Sequence, residues 1–118
     1  MDNALHIFLE ECDELIMKLE SSIMELESDM DNIELIQEIF RAMHTIKGNS
    51  KMFGYENLSD YTHELENIYD AIREGQISVN KELIQLTFES IDLIRSILAD
   101  SELKDPNTRQ KFDQSLGN

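Results

Sequence analysis

Three histidines, His6, His44 and His63, are the side chains whose ordinary charge change falls near neutral pH. A neutral imidazole is a nucleophile, and its use depends on the groups within a turn of it. Between Ile39 and Tyr55 the sequence has Arg41, Lys47 and Lys51 and no acid, in a chain with 25 Asp+Glu against 10 Lys+Arg. At about 100° per residue on a helix, Gln37, Arg41, Lys47, Gly48 and Lys51 fall within about 60° of His44. Ile39, Met43, Ile46 and Phe53 fall on the other side. His44 is therefore predicted to be exposed at the centre of a small basic face. Gly48, one turn later on that face, costs about 1 kcal/mol relative to alanine inside a helix. Two readings of it stay open: close approach by something large, or a harmless small residue or local kink.

His63 and Glu66 stand three residues apart and so share a helical face with Ser59, Asn67 and Asp70. Leu65, Ile68 and Ile72 turn away from it. If the helices on either side of Gly54 are antiparallel neighbours, equal distances from the turn place residues at equal height. His44 lies ten residues before Gly54, and His63 and Glu66 lie nine and twelve after it. A histidine among cations, beside a glycine and level with a His/Glu pair, is a candidate nucleophile. The other residues read blandly. His6 is a surface histidine near a terminus, Cys12 sits on an apolar stripe, and the acidic runs are solvated helix faces.

The elements that must position these groups are helices. Four Gly and one Pro leave few turns. Leu5, Phe8, Cys12, Leu15, Leu19, Ile23, Leu26 and Met30 make the stripe of a first helix over 5–30. A second runs from about Ile33, capped by Asp31 or Asn32, to Phe53, where Gly54 stops it. A third covers about Glu56 to Glu74, closed by Gly75, with Leu58, Tyr61, Leu65, Ile68 and Ile72 inside. Asn80 caps a fourth, with Leu83, Leu86, Ile91, Ile94 and Leu98 behind it. After a polar stretch with Pro106, a weak fifth helix covers 108–116, anchored by Phe112 and Leu116. The expected fold is all-α: an up-down-up-down antiparallel four-helix bundle over 4–99 with a short fifth C-terminal helix.

Composition removes several classes of function. At 118 residues there is room for one domain, whose net charge of −15 repels nucleic acid. No apolar run approaches the length of a membrane span, and the start has no basic, apolar signal pattern. A single cysteine makes neither an internal disulfide nor a thiolate cage, so a cytoplasmic setting is expected. A di-iron bundle would need paired Glu-x-x-His elements. The nearest approach is Asp60-x-x-His63, so no metal is expected. No glycine-rich nucleotide loop is present, and the domain alone is not expected to be a kinase. With no apolar stripe left over, it is expected to be monomeric.

Phe40-Arg41-Ala42-Met43-His44-Thr45-Ile46-Lys47-Gly48, then Met52-Phe53-Gly54 and Thr62-His63-Glu64-Leu65-Glu66-Asn67, resemble the histidine-containing phosphotransfer (Hpt) domain. The form is that at the N-terminus of CheA-type chemotaxis histidine kinases. The opening helix around Phe8–Leu15, the Arg73-Glu74-Gly75 helix end and the fifth helix are similar too. The resemblance implies that His44 accepts the γ-phosphoryl group of ATP from a separate kinase domain, in the same chain or a dimer partner. It then passes the group to an aspartate of a response-regulator receiver domain of the CheY or CheB type.

On the same footing, Glu66 orients and polarises His44, His63 supplies an orienting hydrogen bond, and Lys47 neutralises phosphoryl charge. Gly48, Arg41 and Lys51 face the partner. ATP and Mg are expected on the kinase domain, with no cofactor on this one. Asn49-Ser50 departs from the second small residue that many relatives carry after Gly48. The polar ending and CheA-like start suggest an N-terminal piece of a longer kinase chain. A free-standing relay protein and an inert helical adaptor are the alternatives.

Overall fold

The computed structural model describes residues 3–115. Five helices follow in order: α1 (Asn3–Glu27), α2 (Ile33–Met52), α3 (Glu56–Arg73), α4 (Lys81–Ala99) and α5 (Pro106–Ser115). Each of the first four packs on its chain neighbour, and α1 also packs on α4, which closes the ring of a four-helix bundle. The α2–α3 seam is the most extensive. The fifth helix lies against α4.

Local chemistry sets the boundaries. Asn32 and Asn80 are N-caps whose side-chain oxygens accept from the amides of Leu35 (3.1 Å) and Leu83 (2.8 Å). Such a cap is worth about 1 kcal/mol over alanine. Gly54 and Gly75 take left-handed backbone angles, φ +79° and +78°. At the first, the amide of Tyr55 donates to the carbonyl of Ser50 (2.8 Å) and that of Gly54 to Lys51 (3.2 Å). This double closure satisfies the last carbonyls of α2 and turns the chain sharply into α3.

The first helix ends at Glu27, short of the expected residue 30. The amides of Ser28 and Asp29 donate to the carbonyls of Glu25 and Leu26 in a tight last turn, and the Ser28 hydroxyl and the Asn32 side-chain amide add bonds to the Glu25 carbonyl and the Asp29 carboxylate. Met30 still packs on the core from that turn. The fifth helix starts earlier than expected, with Pro106 in its first turn, where no amide hydrogen is needed. The Asp105 carboxylate accepts from the Thr108 amide at 3.0 Å. Phe112 anchors α5 as expected, and Leu116 lies outside the described residues.

The largest difference is the face of α4. Leu86 was expected inside and is 46% exposed, whereas Ile84, Thr87, Ser90, Leu93 and Ile97 are buried with Ile91 and Ile94. Thr87 and Ser90 can go inside because their hydroxyls donate to the carbonyls of Leu83 and Leu86, each at 2.8 Å. Thr87 also bonds the buried Tyr69 hydroxyl at 2.7 Å. On α1, Ile16 is buried where the stripe predicted Leu15, which is half-buried. Phe53 is part-exposed but stacks on Phe8, with centroids 4.8 Å apart. Cys12 is fully buried, and desolvation, with the charge of Glu11, pushes its thiol up to about 11.

Candidate functional site

The site lies on the α2–α3 seam, whose register the tight Gly54 turn fixes. Ser59 of α3 donates to the Lys47 carbonyl at 3.2 Å, a side-chain tether between the two helices beside the site. Across the seam the Glu66 carboxylate is nearly buried, with 8% of its side chain exposed. Its two oxygens are used separately. Oε2 is hydrogen-bonded to Nδ1 of His44, and Oε1 accepts from Nζ of Lys47 at 2.6 Å. Burial alone would raise the Glu66 carboxyl. The hydrogen bonds from Lys47 and His44, with the positive charge of Lys47, outweigh that and hold it below the usual carboxylate range.

An ionised carboxylate has no proton to give, so Nδ1 of His44 must be the donor. In a neutral ring this leaves Nε2 with a free lone pair. The His44 side chain is 62% exposed, as the helical placement predicts. The combination is chemically specific: one nitrogen is anchored to a buried anion, and the rest of the ring faces solvent. A nucleophile needs both properties, since orientation comes from one nitrogen and attack from the other.

The structure brings His44, Lys47 and Glu66 together, and places the remaining sequence candidates around them. Gly48 is exposed, and a Cβ built there would meet nothing within 4 Å. Packing inside the chain therefore gives no reason for a glycine. Arg41 and Lys51 are exposed, and neither makes an ion pair among the described residues. His63 was expected to orient Glu66 or His44 and makes no hydrogen bond to either. It is exposed, one turn nearer the Gly54 end of α3, where it shares a shallow groove with Lys47, Gly48, Lys51, Ser59 and Asp60. The physical reason is register. Glu66 lies opposite His44, so His63 falls level with Lys47, and both Glu66 oxygens are already taken.

Sequence reasoning overlooked two neighbours. The Phe40 ring lies near-parallel to the His44 ring, 16° between planes and 6.3 Å between centroids. The Arg73 guanidinium lies 4.1 Å from the Phe40 centroid and is held by Asp70 at 2.6 Å. The signal was present: Phe40 is four residues before His44, on the same helical face. No group of three or more His, Cys, Asp or Glu among the described residues could hold a metal ion, and none of their helices is long and apolar enough to cross a membrane.

Comparison with known proteins gives the family. The chain is 44% identical over 98 residues to the chemotaxis protein CheA of Borreliella burgdorferi, which covers 83% of this chain and 11% of that protein. Over the same length it is 40% identical to CheA of Halobacterium salinarum, 15% of that protein. It thus spans less than a sixth of these relatives. The CheA phosphotransferase domain from Thermotoga maritima superposes with a TM-score of 0.78 at 33% identity, covering 81% of this chain and 91% of that one. A family model for the Hpt domain matches residues 3–104. By sequence, fold and the arrangement around His44 together, the chain belongs to the Hpt domain family.

Proposed function

We propose that this domain is the phosphoryl carrier of a chemotaxis-type two-component system, with His44 as the phosphoacceptor. One observation carries the reading: an exposed imidazole anchored through Nδ1 to a buried carboxylate, with Nε2 directed away from it. A separate kinase domain supplies ATP and Mg. Nε2 attacks the γ-phosphorus, an N–P bond forms, the bond to the bridging oxygen breaks, and ADP leaves. The proton stays on Nδ1, where Glu66 stabilises the positive charge that develops on the ring. Lys47 spends one of its three donors on Glu66 and keeps two for the equatorial oxygens of the phosphoryl group.

In the second half-reaction an aspartate carboxylate of a receiver domain attacks phosphorus and the N–P bond breaks. His44 leaves as a neutral imidazole with its Nδ1 proton in place. Arg41 and Lys51, which make no ion pair among the described residues, face the receiver, and Gly48 lets it close over the histidine. His63 borders the approach on the Lys47 side. A receiver partner is supported by the shared fold of the phosphorylated P1 domain of CheA3 from R. sphaeroides in complex with CheY6, TM-score 0.85. The setting is the cytoplasm, and the phosphoryl group is the substrate rather than a resident cofactor.

The test is labelling by ATP and a CheA-type kinase core. The wild-type chain takes up an acid-labile, base-stable label, as a phosphoramidate does, and passes it to a receiver domain. His44→Gln takes up none. Acid-labile label persisting in His44→Gln overturns the assignment.

A further inference from the structure

A hydrogen bond orients an imidazole only while it is made. Whenever the Nδ1 contact to Glu66 opens, the His44 ring turns about its side-chain bonds, and the Nε2 lone pair, which lies in the ring plane, swings with it. In-line attack on phosphorus needs that direction set. The His44 side chain is 62% exposed, so solvent surrounds most of the ring and does not hold it. Phe40 supplies the missing restraint. Its ring is near-parallel to the imidazole, 16° apart with centroids at 6.3 Å, within the range of offset-stacked aromatic pairs.

Phe40 is itself immobilised from two sides. It is half-buried and packs on the core of the bundle. The Arg73 guanidinium sits 4.1 Å from its centroid, a cation–π contact across the α2–α3 seam. Arg73 is fixed in turn by Asp70, whose Oδ1 accepts from Nη2 at 2.6 Å and from Nε at 3.2 Å. Asp70, Arg73 and Phe40 thus form one connected support, with Phe40 one turn from His44, that is not hydrogen-bonded to Glu66 or Lys47.

We infer that Phe40, clamped by Arg73, is a positioning residue that sets the plane of the His44 imidazole so that Nδ1 meets Glu66 while Nε2 points along the line of attack. The inference rests on His44 being the phosphoacceptor. It goes beyond that reading by assigning to an apolar side chain, and to a cation remote from the phosphoryl group, a share in the chemistry. The restraint acts on the chemical step and not on docking. Loss of Phe40 therefore lowers the maximal rate of phosphoryl uptake and leaves the KM for the kinase core unchanged.

The experiment compares wild type, Phe40→Leu, Phe40→Tyr and Arg73→Gln in the 118-residue chain. The populations of the two neutral His44 tautomers are read by nitrogen-15 NMR, and uptake is measured with ATP and a CheA-type kinase core. In wild type the Nδ1–H tautomer dominates. In Phe40→Leu, which keeps an apolar side chain but no ring, the tautomers mix and the maximal rate falls about tenfold, a modest share of what misorientation can cost. Phe40→Tyr restores both. Arg73→Gln, at a surface position that leaves the core untouched, gives a partial loss of both.

Phe40→Leu with wild-type tautomers and rate overturns the inference. So does a Phe40→Tyr chain as impaired as Phe40→Leu, because then the ring plane is not what matters. A wild-type chain that takes up no label overturns the phosphoacceptor reading instead, and the tautomer populations still decide whether Phe40 orients the ring.

Discussion

Two glutamates bridge helices in this bundle, and they are built for different ends. Glu20 of α1 meets Arg95 of α4 across two parallel hydrogen bonds, Oε1 to Nη2 at 2.9 Å and Oε2 to Nη1. Both side chains are a little over a third exposed. Glu66 of α3 is buried, and its two oxygens go to two different residues of α2. The first pair closes on itself: each fork satisfies the other and nothing is left to react. The second is a hub that leaves one nitrogen of an exposed ring unused. A salt bridge becomes a site when its geometry holds a reactive atom in place without consuming it.

The largest expected break in that comparison is Glu66→Ala against Glu20→Ala. Removing Glu66 frees His44 to adopt the other tautomer and leaves Lys47 without its anion. Phosphoryl uptake from ATP and a CheA-type kinase core should fall by about 10²-fold or more, the usual scale for a positioned acid–base partner. Glu20→Ala should leave uptake unchanged. Equal uptake in the two variants would remove Glu66 from the mechanism and make both bridges purely structural.

Next is Gly48→Ala, which separates what the site needs from what the fold needs. A methyl group there meets nothing within 4 Å, and alanine is favoured over glycine in a helix by about 1 kcal/mol. Thermal unfolding should therefore show a chain more stable by up to about that amount. Transfer of label from His44 to a receiver domain should nevertheless slow, by about tenfold if close approach costs some 1.4 kcal/mol at the transition state. A more stable chain with unchanged transfer selects the other reading of Gly48, a harmless small residue.

The site was more legible than the core around it. His44, Lys47, Gly48 and Glu66 could be placed because the distances from Gly54 fix height and the acid-free window fixes the face. Asn32, Gly54, Gly75 and Asn80 gave the helix ends for the same kind of reason, each having a backbone task that few residues perform. The α4 face was misread because apolar residues occur all round that helix, so periodicity does not choose a side. Thr87 and Ser90 look like surface residues until their hydroxyls are seen to bond within the helix. Equal counting from the turn put the His63–Glu66 pair at the height of His44, and Glu66, two residues farther from Gly54 than His44 is, takes that place. Spacing gives height to within a turn, which is enough to find the partners of His44 and too coarse to choose between His63 and Glu66.

Acidification sharpens the contrast by a smaller effect. Arg95 lowers the Glu20 carboxyl through its hydrogen bonds, whereas Glu66 is lowered by Lys47 and His44 against the opposing effect of burial. A carboxyl depressed in the folded chain stabilises the fold above its ordinary value, 4.5 here, and loses that contribution as pH falls through the lower folded value. Both pairs should therefore contribute to loss of stability below about pH 4.5. Glu66→Gln should flatten that acid limb more than Glu20→Gln does, because solvent screens the exposed pair. Chemical unfolding at a series of pH values reads the difference, and a larger flattening from Glu20→Gln would reverse the ranking.

The smallest effect belongs to the Glu20–Arg95 bridge at neutral pH. Exposed ion pairs are worth about 0–1 kcal/mol, because water already solvates both charges and holding two long side chains costs entropy. The parallel fork between these residues argues for the upper part of that range. A double-mutant cycle on Glu20→Gln and Arg95→Met should return a coupling of at most about 1 kcal/mol, with phosphoryl uptake unchanged at every corner. Met17 and Met24, about one turn either side of Glu20 on α1, are 57% and 63% exposed, so apolar side chains face solvent beside the bridge. A cycle that changed uptake would mean that the kinase domain reads this face as well, and would end the division between a seam that holds the bundle and a seam that does its chemistry.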